Sequence, residues 1–338
     1  MESIALKDKG RKQNFGLNLL RAVAIIVVVF GHAVDSAQLF SSHGINILRI
    51  LANYAAALFF MISGALLLPV TGSYWGFLKK RLSKIWIPFI FWSIVYAVLT
   101  NVYITHSTRW MWTEIRWLWI WPSFRAGWFI PAITSLYFFF PIISPWIVTA
   151  SRRRIEYFLI WWLACGVLPY LNTIIGNVYP AQSIFAMFYN FLGYAVAGYY
   201  FMHFPIWAGD NFRKYAILSL CVGCLVLQFI FLQWEHNPQV AELFLNDFGA
   251  GHIGTACLAF ILLTSVKTLG RPMNAIVNFF AVNSYGIYLC QTLFYVYVLK
   301  YILPGLWGTW WGPVVSLVGS VTLAGFLRKI PVVGKYLV

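Results

Sequence analysis

Apolar residues run through this chain in long blocks separated by short polar intervals. A hydrocarbon core of about 30 Å takes about 20 helical residues to cross. Ten blocks approach or exceed that length, over roughly 15–35, 45–69, 85–104, 127–148, 156–173, 183–202, 214–233, 250–266, 275–299 and 310–327. The fifth and eighth are the shortest. This pattern predicts an all-α polytopic membrane protein, a bundle of about ten transmembrane helices.

Composition agrees with the pattern. Of the 338 residues, 61% are hydrophobic and 10% charged, far from the balance of a soluble domain. The formal net charge of +15 has the size of a nucleic-acid signature. Its basic residues, however, fall in short clusters between apolar runs, as membrane topology requires, so nucleic acid is not expected as a partner. With the N terminus inside, eighteen of the twenty-four lysines and arginines fall in or beside cytoplasmic pieces. Ten spans with both termini cytoplasmic satisfy the positive-inside rule. The predicted organisation is a basic tail over 1–14, a transmembrane domain over 15–327 and a second basic tail over 328–338. All five cysteines lie in apolar stretches, and none has the spacing of a disulfide framework or a metal site.

The first apolar block carries the candidate chemistry. Arg21 stands near its start and His32 near its end. Eleven helical residues turn through about 1100°, which places both on one face roughly 16 Å apart. Arginine within a membrane span costs at least about 2.5–3.5 kcal/mol on insertion scales, so a buried polar site is expected. Imidazole takes up a proton near neutral pH, and a guanidinium suits phosphate or an anionic intermediate. Asp35, three residues beyond His32 on the same face, either orients its ring or is an exposed aspartate at the helix end. In the second block, Gly64 permits close helix approach and Ser63 can donate across the contact. The cluster Lys79, Lys80, Arg81 and Lys84 either anchors topology or grips a phosphate-bearing donor from the cytoplasm.

Residues 105–126 hold five tryptophans, three arginines and Glu114. Interfacial aromatic belts account for such a segment. The alternative is an acceptor platform, with Trp117 and Trp119 stacking on a sugar or lipid head group while Arg116 and Arg125 hold an anionic group. The loop over 234–249 carries Glu235, Glu242 and Asp247 without a recognisable ligand pattern.

Taken together, these residues resemble the acyltransferase 3 family of integral membrane acyltransferases. The resemblance rests on Arg21 and His32 with ten residues between them, the Phe-Phe-x-x-Ser-Gly block from Phe59 to Gly64, and the basic stretch through Arg81 and Lys84. It continues through Trp128-Phe129, Leu136-Tyr137, Pro141, the Phe191 to Tyr194 block and the Ser284 to Leu289 block. Three positions depart from the family pattern: Asn18 stands where an aspartate is common, and Ala126 and Gln291 stand where histidines are common. That leaves His32 as the strong base candidate.

The resemblance implies ten core helices in a bacterial cytoplasmic membrane. It also implies transfer of an acyl group, commonly acetyl, from acyl-CoA to a hydroxyl of a cell-surface glycan or its lipid-linked precursor. No tightly bound cofactor is expected; acyl-CoA is a donor substrate, and membrane lipids are the other partners. Arg81, Lys84 and Arg21 would hold the donor's phosphates. His32 would act as base, directly or through an acyl-histidine, with Asn18, Trp128, Ser63, Tyr288 and Gln291 supporting it, the last three as oxyanion donors. A transporter or flippase for an anionic or lipid-linked sugar is the competing class, since polar residues in a bundle also line conduction paths.

Overall fold

The computed structural model of the chain describes residues 14–36, 47–117, 124–168, 190–204, 211–234 and 247–337. Helix α1 spans Phe15–Ser36, and the Asn14 side chain caps it by accepting the Gly16 amide at 3.0 Å. It is followed by α2, Ile47–Leu67, and α3, Tyr74–Thr100, which Ser73 caps through the Gly76 amide. A π-helical turn over Asn101–Thr105 carries α3 on to the short α4, Thr108–Trp117. Then come α5, Phe129–Thr149, entered through a 3-10 turn, and α6, Arg152–Cys165. The later helices are α7, Leu192–His203, α8, Asn211–Trp234, and α9, Ala250–Thr264. Helix α10, Arg271–Thr292, runs into a π-helix over Leu293–Ile302. Last are α11, Trp311–Lys329, and α12, Pro331–Tyr336.

Four stretches are long and apolar enough to cross a membrane: Phe15–Ser36, Tyr74–Thr105, Ala126–Thr149 and Trp311–Lys329. Three shorter apolar helices accompany them, Leu51–Leu67, Tyr215–Ile230 and Ala250–Thr264. The expected runs 156–173 and 183–202 lie partly outside the described residues. Helix α10 has the length, but Asn274, Asn278, Asn283, Ser284 and Gln291 lower its hydropathy. Backbone hydrogen bonds closed within each helix and large apolar side chains left outward, among them Phe138, Ile142, Ile160, Leu227, Val318 and Phe326, suit a lipid surround. The protein is an all-α, membrane-embedded chain.

Helix α1 forms the centre of the bundle, packed against α2, α9, α10 and α11. Two-thirds of its apolar stretch is buried (67%), against 28% for α11. Two close approaches fix its neighbourhood. The α1 backbone at Gly16 meets the end of α9 so closely that a Cβ would lie 2.4 Å from the Thr264 carbonyl oxygen. Likewise α2 and α7 cross where a Cβ on Gly64 would lie 1.9 Å from the Ala195 carbonyl oxygen. Gly64 thus serves the close approach expected of it. Ser63 differs from expectation, donating to Phe59 of its own helix at 2.9 Å, the usual choice of a helical serine.

Two further boundaries differ from the apolar pattern. Helix α3 begins at Tyr74, so Lys79, Lys80, Arg81 and Lys84 stand on helical turns rather than in a loop. The C-terminal stretch also packs: the Trp92 indole donates to the Leu337 carbonyl at 3.2 Å.

Candidate active site

Helix α3 is fastened to the bundle by side chains that leave its inner face open. The Trp86 indole donates to Thr134 of α5 at 3.0 Å, Tyr285 of α10 donates to the Ile85 carbonyl at 2.6 Å, and Tyr96 donates to the Leu289 carbonyl. Between α1, α2, α3, α5 and α10 lies a cavity of about 920 Å³. It is lined by Lys84, three turns into α3, and by Thr100 at the end of that helix. Sixteen helical residues separate them, about 24 Å at 1.5 Å per residue. The cavity is therefore a channel-like space running along much of the bundle.

Helix α1 supplies Arg21, His32 and Asp35 to this cavity. The Arg21 end is basic: Lys84 shares the lining, and Arg81 is close enough to Arg21 for the two charges to repel. The Arg81 guanidinium lies 6.0 Å from the Phe77 ring centre, and its buried Nε has no hydrogen-bond partner among the described residues. Arg81 thus borders the basic end beside Arg21. At the other end, His32 lies 6.1 Å from Tyr295, ring centre to ring centre, with Trp128, Phe129 and Asp247 also in the wall.

Ser63 lines the middle, beside the Tyr137 hydroxyl. Tyr288 lines the cavity too, but its hydroxyl donates to the Ala126 carbonyl, so that proton is already committed. Gln291 is fully buried outside the lining, with neither side-chain polar atom paired among the described residues. The geometry therefore does not bring Tyr288 or Gln291 forward as oxyanion donors. Asn18 also stands apart from the cavity and donates to Asn278 at 2.9 Å, tying α1 to α10.

The expected acceptor platform divides. Trp117 and Arg116 are on the exposed surface of α4 and do not line the cavity, because the short amphipathic helix directs them away from the bundle. Trp119 and the Arg125 side chain lie outside the described residues. Just beyond that segment, Trp128 does reach the cavity. Burial pushes the Glu114 carboxyl on α4 above the usual carboxylate range.

Asp247, which the sequence places in a loop without a ligand pattern, proves to be a cavity residue. It borders the cavity just before α9, and its separation from His32 by more than two hundred residues leaves no local pattern to find.

A family model described as an acyltransferase domain matches residues 14–329, nearly the whole chain. The chain belongs to this acyltransferase family. No curated protein and no solved structure gives a significant match. Family membership makes acyl transfer the activity of this acyltransferase in general, and an acyl-CoA-type donor is compatible with it.

Proposed function

We propose that this acyltransferase moves an acetyl group from acetyl-CoA, taken from the cytoplasmic side, to a hydroxyl of a cell-surface polysaccharide or its lipid-linked precursor. One observation carries the reading: a single cavity joins a basic end, with Arg21 and Lys84, to an end holding His32. Ten spans of the bacterial cytoplasmic membrane, with both termini inside, would put the basic end toward the cytoplasm. The domain limits 15–327, flanked by basic tails, belong to the same reading.

In this arrangement Arg21, Arg81 and Lys84 hold the nucleotide phosphates by charge-assisted hydrogen bonds. The slender pantetheine arm extends along the cavity, whose span of about 24 Å accommodates it. The thioester then lies beside His32. The imidazole takes the proton of the acceptor hydroxyl as its oxygen attacks the thioester carbonyl carbon. The C–S bond breaks, the thiolate leaves and collects that proton from the imidazolium, and the products are an ester and free CoA. Ser63 lines the same cavity and would serve the oxyanion only by turning its hydroxyl away from the Phe59 carbonyl to which it donates.

The test is CoA release by purified protein in detergent, with acetyl-CoA and a total glycolipid extract of bacterial membranes. Acceptor-stimulated release is expected, and His32→Ala should abolish it with acetyl-CoA binding retained. Turnover preserved in His32→Ala would remove His32 from the reaction. Movement of an unmodified glycolipid across a bilayer, without donor consumption, would instead identify a flippase.

A further inference from the structure

Asp247 stands in the cavity wall on a short stretch tied to the bundle by backbone hydrogen bonds and ring packing. The Tyr194 hydroxyl donates to its backbone carbonyl. Two residues on, Gly249 is buried, and the Ala250 amide donates to the Gly166 carbonyl at 2.9 Å. Phe248 packs on Phe191 with ring centres 4.6 Å apart, and Phe191 packs in turn on Trp128 at 5.9 Å. This ring-on-ring chain brings the Asp247 segment and Trp128 into one corner of the cavity.

Behind the carboxylate lies a buried polar network. His252 Nε2 is 3.7 Å from Asp247 Oδ1, and His252 Nδ1 lies 2.8 Å from the Tyr194 hydroxyl. The His252 ring stacks on Tyr54 at 4.4 Å, and Tyr54 donates to Gln228, which donates to Thr255 at 3.2 Å. His252 is only 1% exposed and does not line the cavity, whereas the Asp247 side chain is 30% exposed and does. Such a network costs more to build than an apolar contact of the same volume. Its hydrogen bond to Asp247 runs from the Tyr194 hydroxyl to the backbone carbonyl, which fixes the main chain from which the carboxylate reaches the cavity surface.

The end of the cavity to which Asp247 belongs follows from the helix directions. The start of α1 meets the end of α9 at Gly16 and Thr264, so the start of α9, with Asp247, lies toward the His32 end. A carboxylate repels the phosphates of an acyl-CoA and only accepts hydrogen bonds. Beside an indole and the side chain of Asn53, also in the lining, it matches a molecule carrying several hydroxyls around an apolar ring face.

We propose that Asp247 is an acceptor-binding residue, accepting hydrogen bonds from hydroxyls that flank the one to be acylated, with its backbone fixed by the Tyr194 hydroxyl. The proposal rests on the acyl-transfer reading of the cavity. Asp247 selects polyhydroxylated acceptors and orients them to His32; it takes no proton in the reaction.

The experiment is the same CoA-release assay with the glycolipid extract titrated as acceptor, on wild type, Asp247→Asn and Asp247→Glu, with acetyl-CoA affinity measured in parallel. Asp247→Asn is expected to raise the apparent acceptor KM at least tenfold, with kcat at saturating acceptor within about threefold of wild type and acetyl-CoA affinity within twofold. Asp247→Glu, which keeps the charge, should give a KM between the two. A purely structural role would lower kcat and donor affinity together with the thermal midpoint, and that result overturns the proposal. So does a Glu variant worse than Asn, or an Asn variant with wild-type acceptor KM while the wild type turns over. A wild-type protein that consumes no acyl-CoA would overturn the acyl-transfer reading itself.

Discussion

Replacing Gly64 by alanine should disable the protein from a position whose own side chain is absent. A Cβ there falls 1.9 Å from the Ala195 carbonyl oxygen and 2.4 Å from its carbon, while 3.4 Å begins ordinary contact. The helices α2 and α7 must then separate by about 1.5 Å, because the obstacle is backbone and cannot rotate away. The reciprocal contact, a Cβ on Gly198 at 2.0 Å from the Met61 carbonyl oxygen, shows that the crossing has no slack on either side. Overpacking of this kind costs about 1–3 kcal/mol, and the upper part of that range applies here. Helix α2 also carries Asn53, Phe59, Ile62 and Ser63 into the cavity. Misplacement by about 1 Å at a catalytic site costs on the order of a hundredfold in rate. Gly64→Ala should therefore lose at least tenfold in acceptor-stimulated CoA release and unfold at a lower temperature in detergent. Gly254→Ala is the matched control, since a Cβ there has nothing within 4 Å, and it should stay within about 1 kcal/mol of wild type. A Gly64→Ala protein as stable and active as wild type would refute the reasoning.

Three other substitutions probe separate parts of the structure. Arg81→Ala should weaken acetyl-CoA binding about tenfold or more, and added salt should narrow the difference from wild type; equal affinities at low salt would take Arg81 out of the donor site. Tyr288→Phe leaves the Ala126 carbonyl without its donor and should cost about 1–3 kcal/mol in unfolding experiments; a loss of turnover at unchanged stability would instead give the hydroxyl a role in the chemistry. Asp247→Asn should change the pH dependence of stability. Burial pushes the Asp247 carboxyl up from 3.8 to about 6, so the folded state holds its proton to higher pH than the unfolded chain. Wild-type stability then falls as pH rises from about 4 through 6, by at most about 3 kcal/mol and less because the group is partly exposed. The titratable groups around it are His252 and Tyr194 behind, with His32 and Asp35 sharing the cavity. The asparagine variant should gain on wild type as pH rises from about 4 through 6 and keep that gain above it, and a pH-independent difference in unfolding measurements would refute the assignment.

The apolar pattern made the class of fold legible, because lipid and helix packing both demand long apolar runs. It was less informative about where helices begin. Helix α3 starts eleven residues before its apolar block, under a Ser73 cap and through a basic cluster, because helical hydrogen bonding does not stop where hydropathy does. The continuation of α10 as a π-helix from Leu293 has no counterpart in hydropathy either. Within the site, Arg21 and His32 could be paired because one helix carries both and its geometry is known in advance. Asp247 could not, since its place beside the cavity depends on the Gly16–Thr264 approach and the Phe248–Phe191–Trp128 packing, contacts between distant parts of the chain.

The three departures from the family pattern acquire a common physical sense. At Asn18 the side chain is used to bind α1 to Asn278, and at Ala126 the carbonyl is used to receive the Tyr288 hydroxyl. Gln291 lies fully buried and away from the cavity lining. Each position therefore contributes to packing or sits outside the cavity, and none offers a group that titrates near neutral pH. Under the proposed acyl-transfer reading, proton transfer within the cavity would therefore fall to His32, with Asp35 one helical turn away in the same lining. Asp247, whose backbone carbonyl accepts from Tyr194, stands on a different element, and in the proposal above its carboxylate serves recognition alone. On that reading, placing proton transfer on α1 and acceptor recognition on the stretch before α9 would let the cavity change acceptor without altering the chemistry of transfer.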